Sequence, residues 1–311
     1  MASAESKIIV DMYDQLGATL VGNPGLPLGV TRAVMDSAMV SVASEPEGVT
    51  YEGVSAGGVP ALWCIPAGCS QDRVIMYTHG GGYVGGSTVS HRRMTGHLAR
   101  AAGVRVLSLD YALAPEHPHP AASDDALAGY RWLRSQGFAA DHIAVSGDSA
   151  GGGLCTALVL RLREAGEDLP AAVMPLSPWY DMELVGESLV ASRGSGTVVS
   201  ADGLMSMVQA FLQGASPKDP VANPLYADLT GFPPVLIHVG AEEALVSDSE
   251  TFARNASAVG VDVTLVVEPE MLHVYPFGAG RMPEADAAIA RMASWVRARL
   301  GLDGAPGAGR T

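Results

Sequence analysis

Short runs of apolar and β-branched residues recur along the chain, and stretches with apolar residues at helical spacing separate most of them. The short runs predict strands, whereas apolar residues three or four positions apart predict one face of a helix. The predicted strands are Val49–Val54, Val59–Ile65, Val74–Thr78, Val104–Leu109, Ile143–Val145, Ala172–Leu176, Val235–Val239 and Val261–Val267. Because strands and helices alternate, we expect an α/β fold with a mostly parallel central sheet covered by helices.

Four parts of the chain depart from this alternation. Gly57-Gly58 separates the first two strands and predicts a hairpin, so the sheet begins antiparallel. Residues 1–45 precede the sheet, and residues from about 181 to 223 are too long for a simple connection between two strands. The glycine- and proline-containing tail from Gly301 to Thr311 is predicted to be disordered.

A serine stands between a predicted strand and a predicted helix, in Gly147-Asp148-Ser149-Ala150-Gly151. This G-x-S-x-G pattern on a sharp turn exposes a serine hydroxyl, and the glycines let the backbone turn without side-chain clashes. A chain with 37 glycines matches the pattern easily by chance, so a plain turn with a capping serine is the alternative for the pentapeptide alone.

A glycine run strengthens the case for a serine nucleophile. His79-Gly80-Gly81-Gly82 directly follows the apolar strand Val74–Thr78, which disfavours a loose surface loop. Backbone N–H groups of Gly81 and Gly82, with that of Ala150 as a third, are predicted to form an oxyanion hole.

Five sequence pieces together resemble the bacterial hormone-sensitive-lipase-like esterases, which are family IV of the α/β-hydrolase fold. They are His79–Tyr83, Asp110–Glu116, Gly147–Gly152, Ser177-Pro178-Trp179 and His273, and the similarity runs from about Val49 to Leu300. Two departures are visible. Ala112 stands where the family often has arginine, and Glu243 stands where the family usually has aspartate. The resemblance implies an α/β-hydrolase domain over 46–311, capped by residues 1–45 and by an insertion at about 181–223.

The predicted base and acid follow Ser149 in the chain. His273 comes after the last strand, and the order serine, acid, histidine is that of the α/β-hydrolases. Glu243 lies three residues beyond Gly240, where the resembling family carries its acid. Asp248 is the second candidate, although an aspartate just before the predicted helix Ser249–Val259 is expected to cap it. Glu242 is expected to face solvent.

Apolar residues of the predicted cap insertion are candidates for the substrate pocket. Methionine adapts to varied apolar shapes, so this group could line an acyl pocket, with ordinary helix packing as the alternative for each member. The predicted substrate-binding residues are Tyr83, Met205, Met207 and Phe211. A closed cap predicts a rate that falls for acyl chains beyond about ten carbons.

Composition narrows the partners. A net charge of −14 argues against binding nucleic acid, whose phosphates would be repelled. The first residues lack a signal-peptide pattern and no apolar run reaches transmembrane length, so a cytoplasmic protein without stable membrane insertion is expected. Cys64, Cys69 and Cys155 form no metal-ligand pattern. No metal or other cofactor is expected, and homodimer formation is left open.

The sequence therefore predicts a serine carboxylesterase that hydrolyses short- to medium-chain acyl esters through an acyl-enzyme. A lactone hydrolase is the close alternative, because a lactone is a cyclic ester that needs the same groups. A non-catalytic small-molecule binding protein of hydrolase fold is the other alternative, and the presence of His273 disfavours it.

Overall fold

A computed structural model describes residues 2–23, 25–194 and 197–302. Its centre is an eight-stranded sheet with the strand order β1-β2-β4-β3-β5-β6-β7-β8. The strands are β1 Val49–Ala56, β2 Val59–Pro66, β3 Ser70–Thr78, β4 Val104–Leu109, β5 Ile143–Asp148, β6 Ala172–Leu176, β7 Val235–Gly240 and β8 Val263–Glu268. β1 and β2 pair antiparallel, β2 is antiparallel to β4, and the remaining pairs are parallel. The predicted α/β fold with a mostly parallel sheet and an antiparallel start is confirmed.

Helices cover both faces of the sheet. They are α1 Lys7–Leu20, α2 Leu28–Val42, α3 Thr88–Ala102, α4 Ala121–Ser135, α5 Ala150–Glu164, α6 Glu187–Ala191, α7 Ala201–Leu212, α8 Val246–Ala258 and α9 Pro283–Arg299. The buried strand β3 shows how the two cores form. Val74 and Met76 point into the core with α4, α5 and α8, whereas Ile75 and Tyr77 point into the core with α3 and α9. This two-residue alternation between two apolar faces is why β3 reads as a continuous apolar run.

The two segments outside the predicted alternation form helices at one end of the sheet. Residues 1–45 contain α1 and α2, and residues 181–223 contain α6 and α7. Side chains from α1, α2 and α7 reach the carboxyl ends of the parallel strands, where α/β folds place their ligands. This placement agrees with a cap, and the division of the chain into cap and catalytic domain stays a prediction.

Two expectations are changed by the structure. Helix α8 begins at Val246, so Asp248 lies inside its first turn and does not cap it. The last strand begins at Val263, two residues later than predicted. The predicted disordered tail lies outside the described residues from 303 onwards. Among the described helices, none combines the length and apolar character that a bilayer crossing requires.

Candidate active site

Ser149 occupies a strained turn between β5 and α5. Its backbone has φ 52° and ψ −121°, a left-handed conformation that costs energy for any residue with a Cβ atom. The flanking positions leave no room for side chains, because a Cβ on Gly147 would lie 2.3 Å from the Gly151 carbonyl oxygen. A Cβ on Gly151 would lie 2.0 Å from the carbonyl oxygen of Thr78. The glycines of the G-x-S-x-G pattern are therefore required by the backbone, as the sequence predicts.

The structure brings His273 and Glu243 together. His273 Nδ1 lies 3.3 Å from Glu243 Oε1, and both side chains are more than nine-tenths buried. The other carboxylate oxygen, Oε2, accepts hydrogen bonds from Ser177 Oγ at 2.7 Å and from the Gly240 N–H at 3.1 Å. Both carboxylate oxygens thus have partners, which fixes the orientation of Glu243 toward the imidazole.

Ser177 is a site residue to which sequence reasoning assigned no role. Its hydroxyl donates to Glu243 and accepts a hydrogen bond from the Val274 N–H at 3.1 Å. It therefore joins the acid to the residue that follows His273. The backbone of Ser177 has φ 42°, so it too holds a conformation that side chains rarely adopt. In the sequence, Ser177 belongs to the motif Ser177-Pro178-Trp179, which contributes to the family resemblance but does not indicate a function for this residue.

Asp248 is buried but does not contact His273. Its Oδ2 atom accepts hydrogen bonds from the backbone N–H groups of Tyr180 and Asp181, both at 2.8 Å. Burial raises the pKa of this carboxyl to about 7 in spite of these bonds. The Asp248 carboxyl group therefore holds the backbone of the segment that follows Ser177 and does not orient the imidazole of His273. Glu242 is exposed, as the sequence predicts.

The glycine loop lies beside Ser149 with free N–H groups. Gly81 and Gly82 have φ 117° and 65°, and both line the same cavity as Ser149. Throughout the described residues, neither N–H group donates a hydrogen bond. Ala150 is the first residue of α5, where a backbone N–H has no partner within the helix. These are the three positions that the sequence predicts for an oxyanion hole.

A buried polar network holds the glycine loop in place. Asp148 Oδ1 accepts hydrogen bonds from the Gly80 N–H at 3.0 Å and from the Tyr77 hydroxyl at 2.8 Å, and Oδ2 lies 3.2 Å from His91 Nε2. Burial alone would raise the pKa of Asp148, but the His91 imidazole and the Tyr77 hydroxyl outweigh it, so the pKa is lowered. The charged form of Asp148 therefore holds the loop through Gly80.

The His79 ring supports the glycine loop. Its ring stacks on Tyr111 with centroids 4.3 Å apart, and its Nδ1 donates to the Gly80 carbonyl oxygen at 2.8 Å. Burial, reinforced by the neighbouring His91, lowers the pKa of His79 to about 4. The imidazole is therefore neutral at pH 7 and acts as a rigid support beneath the glycine loop.

Two residues of the N-terminal segment reach the site and were not identified from the sequence. The Tyr13 hydroxyl donates to the carbonyl oxygen of His273 at 3.0 Å. Arg32 Nε donates to the Val84 carbonyl oxygen at 2.7 Å, and its guanidinium forms a two-pronged pair with Glu116 at 2.8 and 2.7 Å. Helical spacing identified neither residue, because both contacts depend on how α1 and α2 dock onto the catalytic domain.

One of the four predicted substrate-binding residues lines the cavity. This residue is Met207, which lines a cavity of about 40 Å³ together with Ser149 and His273. Tyr83 and Phe211 instead stack on each other with centroids 3.9 Å apart and are 2% and 3% exposed, so they do not line this cavity. Met205 is 41% exposed on the outer side of α7 and does not line it either. Position along α7 decides this, since Met205 and Met207 are two residues apart on a helix and face different directions.

The arrangement suits nucleophilic chemistry at a carbonyl group. A serine, an imidazole with an oriented carboxylate, and unpaired backbone N–H groups meet at one small cavity. Across the described ranges, no group of three or more His, Cys, Asp or Glu side chains is arranged to hold a metal ion.

Comparison with known proteins shows the family of this chain. Residues 75–277 match a family model described as the alpha/beta hydrolase fold. An acetyl-hydrolase of Streptomyces hygroscopicus is 40% identical over 249 residues, which are 80% of this chain and 83% of the relative. An esterase of Acinetobacter venetianus is 35% identical over 77% of this chain and 79% of its own length.

A solved structure agrees over almost the whole chain. An esterase from the bacterial hormone-sensitive lipase family has 42% sequence identity and a TM-score of 0.91, covering 97% of this chain and 100% of that one. These similarities confirm the resemblance seen in the sequence motifs. The chain is a carboxylic ester hydrolase of the α/β-hydrolase fold, and it belongs to the bacterial hormone-sensitive-lipase-like esterases.

Proposed function

We propose that the protein is a serine carboxylesterase in which Ser149, His273 and Glu243 form the catalytic triad. The observation that carries this proposal is the 3.3 Å approach of His273 Nδ1 to Glu243 Oε1 beside the cavity that Ser149 also lines. A serine hydroxyl is a weak nucleophile near pH 7 and needs an oriented base. Glu243 supplies the orientation, because its second oxygen is fixed by Ser177 and Gly240.

In the first half of the reaction, Ser149 Oγ attacks the ester carbonyl and His273 takes the hydroxyl proton. The carbonyl electrons move onto the oxygen, where the N–H groups of Gly81, Gly82 and Ala150 stabilise the negative charge. Each such donor contributes about 3 kcal/mol to lowering the barrier. Collapse of this intermediate breaks the bond to the alcohol, which leaves with the proton from His273.

In the second half, water hydrolyses the acyl-enzyme. His273 removes a proton from water, the hydroxide attacks the acyl carbon, and the Ser149 oxygen leaves with the proton. Glu243 holds the imidazole tautomer and stabilises the imidazolium in both halves. Every atom and proton is accounted for by the ester, one water and these three side chains.

Short- to medium-chain acyl esters are the substrates that the site supports best. The cavity beside Ser149 holds only about 40 Å³, which favours a small acyl group. The Streptomyces relative is named an acetyl-hydrolase, and this name supports the same substrate class here. A lactone would use the same groups, and no feature of the described residues favours it over an open ester.

The experiment is a substitution of Ser149 by alanine, with turnover measured on p-nitrophenyl acetate, p-nitrophenyl butyrate and a panel of lactones. The variant should lose ester turnover and keep the circular dichroism spectrum and melting temperature of the wild type. Residual activity within tenfold of wild type would remove Ser149 as the nucleophile. Turnover by the wild type of lactones alone would replace the ester assignment by the lactone one.

A further inference from the structure

The cavity at Ser149 is small and only partly enclosed. Its volume of about 40 Å³ leaves room for roughly three water-sized spheres. An acetyl group fills such a space, so a longer acyl chain must extend beyond it into a neighbouring space.

An apolar cleft lies next to this cavity, between the N-terminal segment and α7. Its volume is about 610 Å³, within the range of ordinary ligand pockets. The N-terminal segment contributes Leu26 and Leu28 to its wall, α7 contributes Ala210, and the catalytic domain contributes Val84 and Pro115. The cleft is thus formed mostly by apolar side chains, which suit an alkyl chain.

Four residues line both the cavity and the cleft, namely Leu20, Met35, Val198 and Met207. The two methionines lie directly against the glycine loop. A Cβ built on Gly85 would lie 2.8 Å from Met35 Sδ, and one built on Gly82 would lie 2.2 Å from Met207 Sδ. Because methionine is unbranched and has three rotatable bonds, a rotation of either side chain opens the shared wall without moving the backbone.

We propose that Met35 and Met207 form a gate through which the acyl chain of a longer ester passes from the cavity into the cleft. This inference rests on the proposed function. The leaving alcohol must stay beside His273 to receive its proton. The cavity residues Tyr13, His273, Val274 and Phe277 lie outside the cleft wall, so the cleft opens on the side away from the base. The chain that enters it is therefore the acyl chain, not the alcohol.

The test compares kcat/KM for p-nitrophenyl octanoate and p-nitrophenyl acetate in the full-length enzyme. Met207→Ala removes the gate side chain and should raise the octanoate-to-acetate ratio about tenfold, whereas Met207→Phe should lower it about tenfold. Met35→Ala should act in the same direction as Met207→Ala. Met205→Ala is the matched control, because Met205 belongs to the same helix but is exposed, and its ratio should equal that of the wild type.

A second series separates the two ends of the ester. Ethyl acetate and octyl acetate differ only in the alcohol, so the gate variants should leave their kcat/KM ratio unchanged. A change confined to the alkyl acetates would overturn the acyl assignment. Equal effects on octanoate and acetate in both Met35→Ala and Met207→Ala would overturn the gate, with melting temperatures confirming that the variants are folded.

Failure of the gate and failure of the proposed function give different results. If the gate is wrong, the chain-length ratios stay unchanged while the wild type still hydrolyses p-nitrophenyl acetate and Ser149→Ala does not. If the proposed function is wrong, Ser149→Ala retains turnover of p-nitrophenyl acetate, whatever the methionine variants do.

Discussion

Replacing Ser177 with alanine tests whether the proposed triad depends on the bridge between its acid and its base. The substitution deletes the hydroxyl that donates to Glu243 Oε2 at 2.7 Å and accepts the Val274 N–H at 3.1 Å. A hydrogen bond to a charged group is worth about 1.5–3 kcal/mol, and the buried N–H left without a partner adds about 1–3 kcal/mol. We expect the free energy of unfolding to fall by about 2.5–6 kcal/mol.

The effect on turnover follows from the loosened carboxylate. Without Ser177, Glu243 Oε2 keeps only the hydrogen bond from the Gly240 N–H, so the carboxylate can rotate away from His273. If about 2 kcal/mol of this loss appears in the transition state, kcat falls about thirtyfold. The assay is kcat on p-nitrophenyl acetate, combined with urea unfolding of the same preparations.

Ser146→Ala is the matched control for this experiment. Ser146 is also fully buried, and its hydroxyl donates to the Met174 carbonyl oxygen at 2.7 Å, away from the acid and the base. It should cost about 1 kcal/mol of stability and leave kcat unchanged. A Ser177→Ala enzyme with kcat within twofold of wild type would refute the reasoning, because the bridge would then contribute nothing to the geometry of the triad.

Four further substitutions test other parts of the site. Glu243→Gln should lower kcat by several orders of magnitude, as expected when the base loses the carboxylate that sets its tautomer, whereas Asp248→Asn should spare turnover. The pKa of Asp248 is raised to about 7 in the folded protein. Its contribution to stability is therefore complete below about pH 4 and is lost as the pH rises through 7. Asp248→Asn should make the free energy of unfolding fall less steeply between these two pH values. Arg32→Ala should cost about 2 kcal/mol, since Arg32 holds the Val84 and Ala114 carbonyls, and Glu116→Gln should cost less because it leaves those bonds in place.

For each of these predictions, one outcome would contradict it. If Asp248→Asn abolishes turnover and Glu243→Gln spares it, the acid is Asp248. A pH profile of stability that is the same in the wild type and in Asp248→Asn would show that this carboxyl is ionised normally. If Glu116→Gln matches Arg32→Ala in stability, the exposed ion pair and not the carbonyl contacts anchors α2.

The sequence predicted the sheet well because its signals are local. Strand β3 is apolar from Val74 to Tyr77, at four of its five buried positions, and the glycines beside Ser149 are required by the backbone of one turn. The position of the proposed acid was also predictable, since Glu243 and its competitor Asp248 differ in their distance from the end of β7. Local spacing put Glu243 near His273, where the structure has it, but it did not predict that the Asp248 side chain turns toward the backbone of Tyr180.

The parts that were missed depend on contacts between distant segments. Tyr13 and His273 are 260 residues apart in sequence, and Ser177 joins Glu243 to Val274 across two strand connections. Side chains that line the cavity are hard to identify from sequence for a related reason, because the apolar character of Tyr83 and Phe211 fits a core as well as a substrate site. Burial and stacking decide between the two, and neither is encoded in local spacing.

The measurement that tests the central claim most directly is labelling of the wild-type enzyme with a fluorophosphonate probe, followed by mass spectrometry of the peptides. Ser149 should carry one phosphonyl adduct, as expected of the proposed nucleophile beside free N–H donors. Labelling should be lost in Ser149→Ala and slowed in Glu243→Gln and in Ser177→Ala. An adduct on another serine, or unlabelled Ser149 in an enzyme that hydrolyses p-nitrophenyl acetate, would contradict the account.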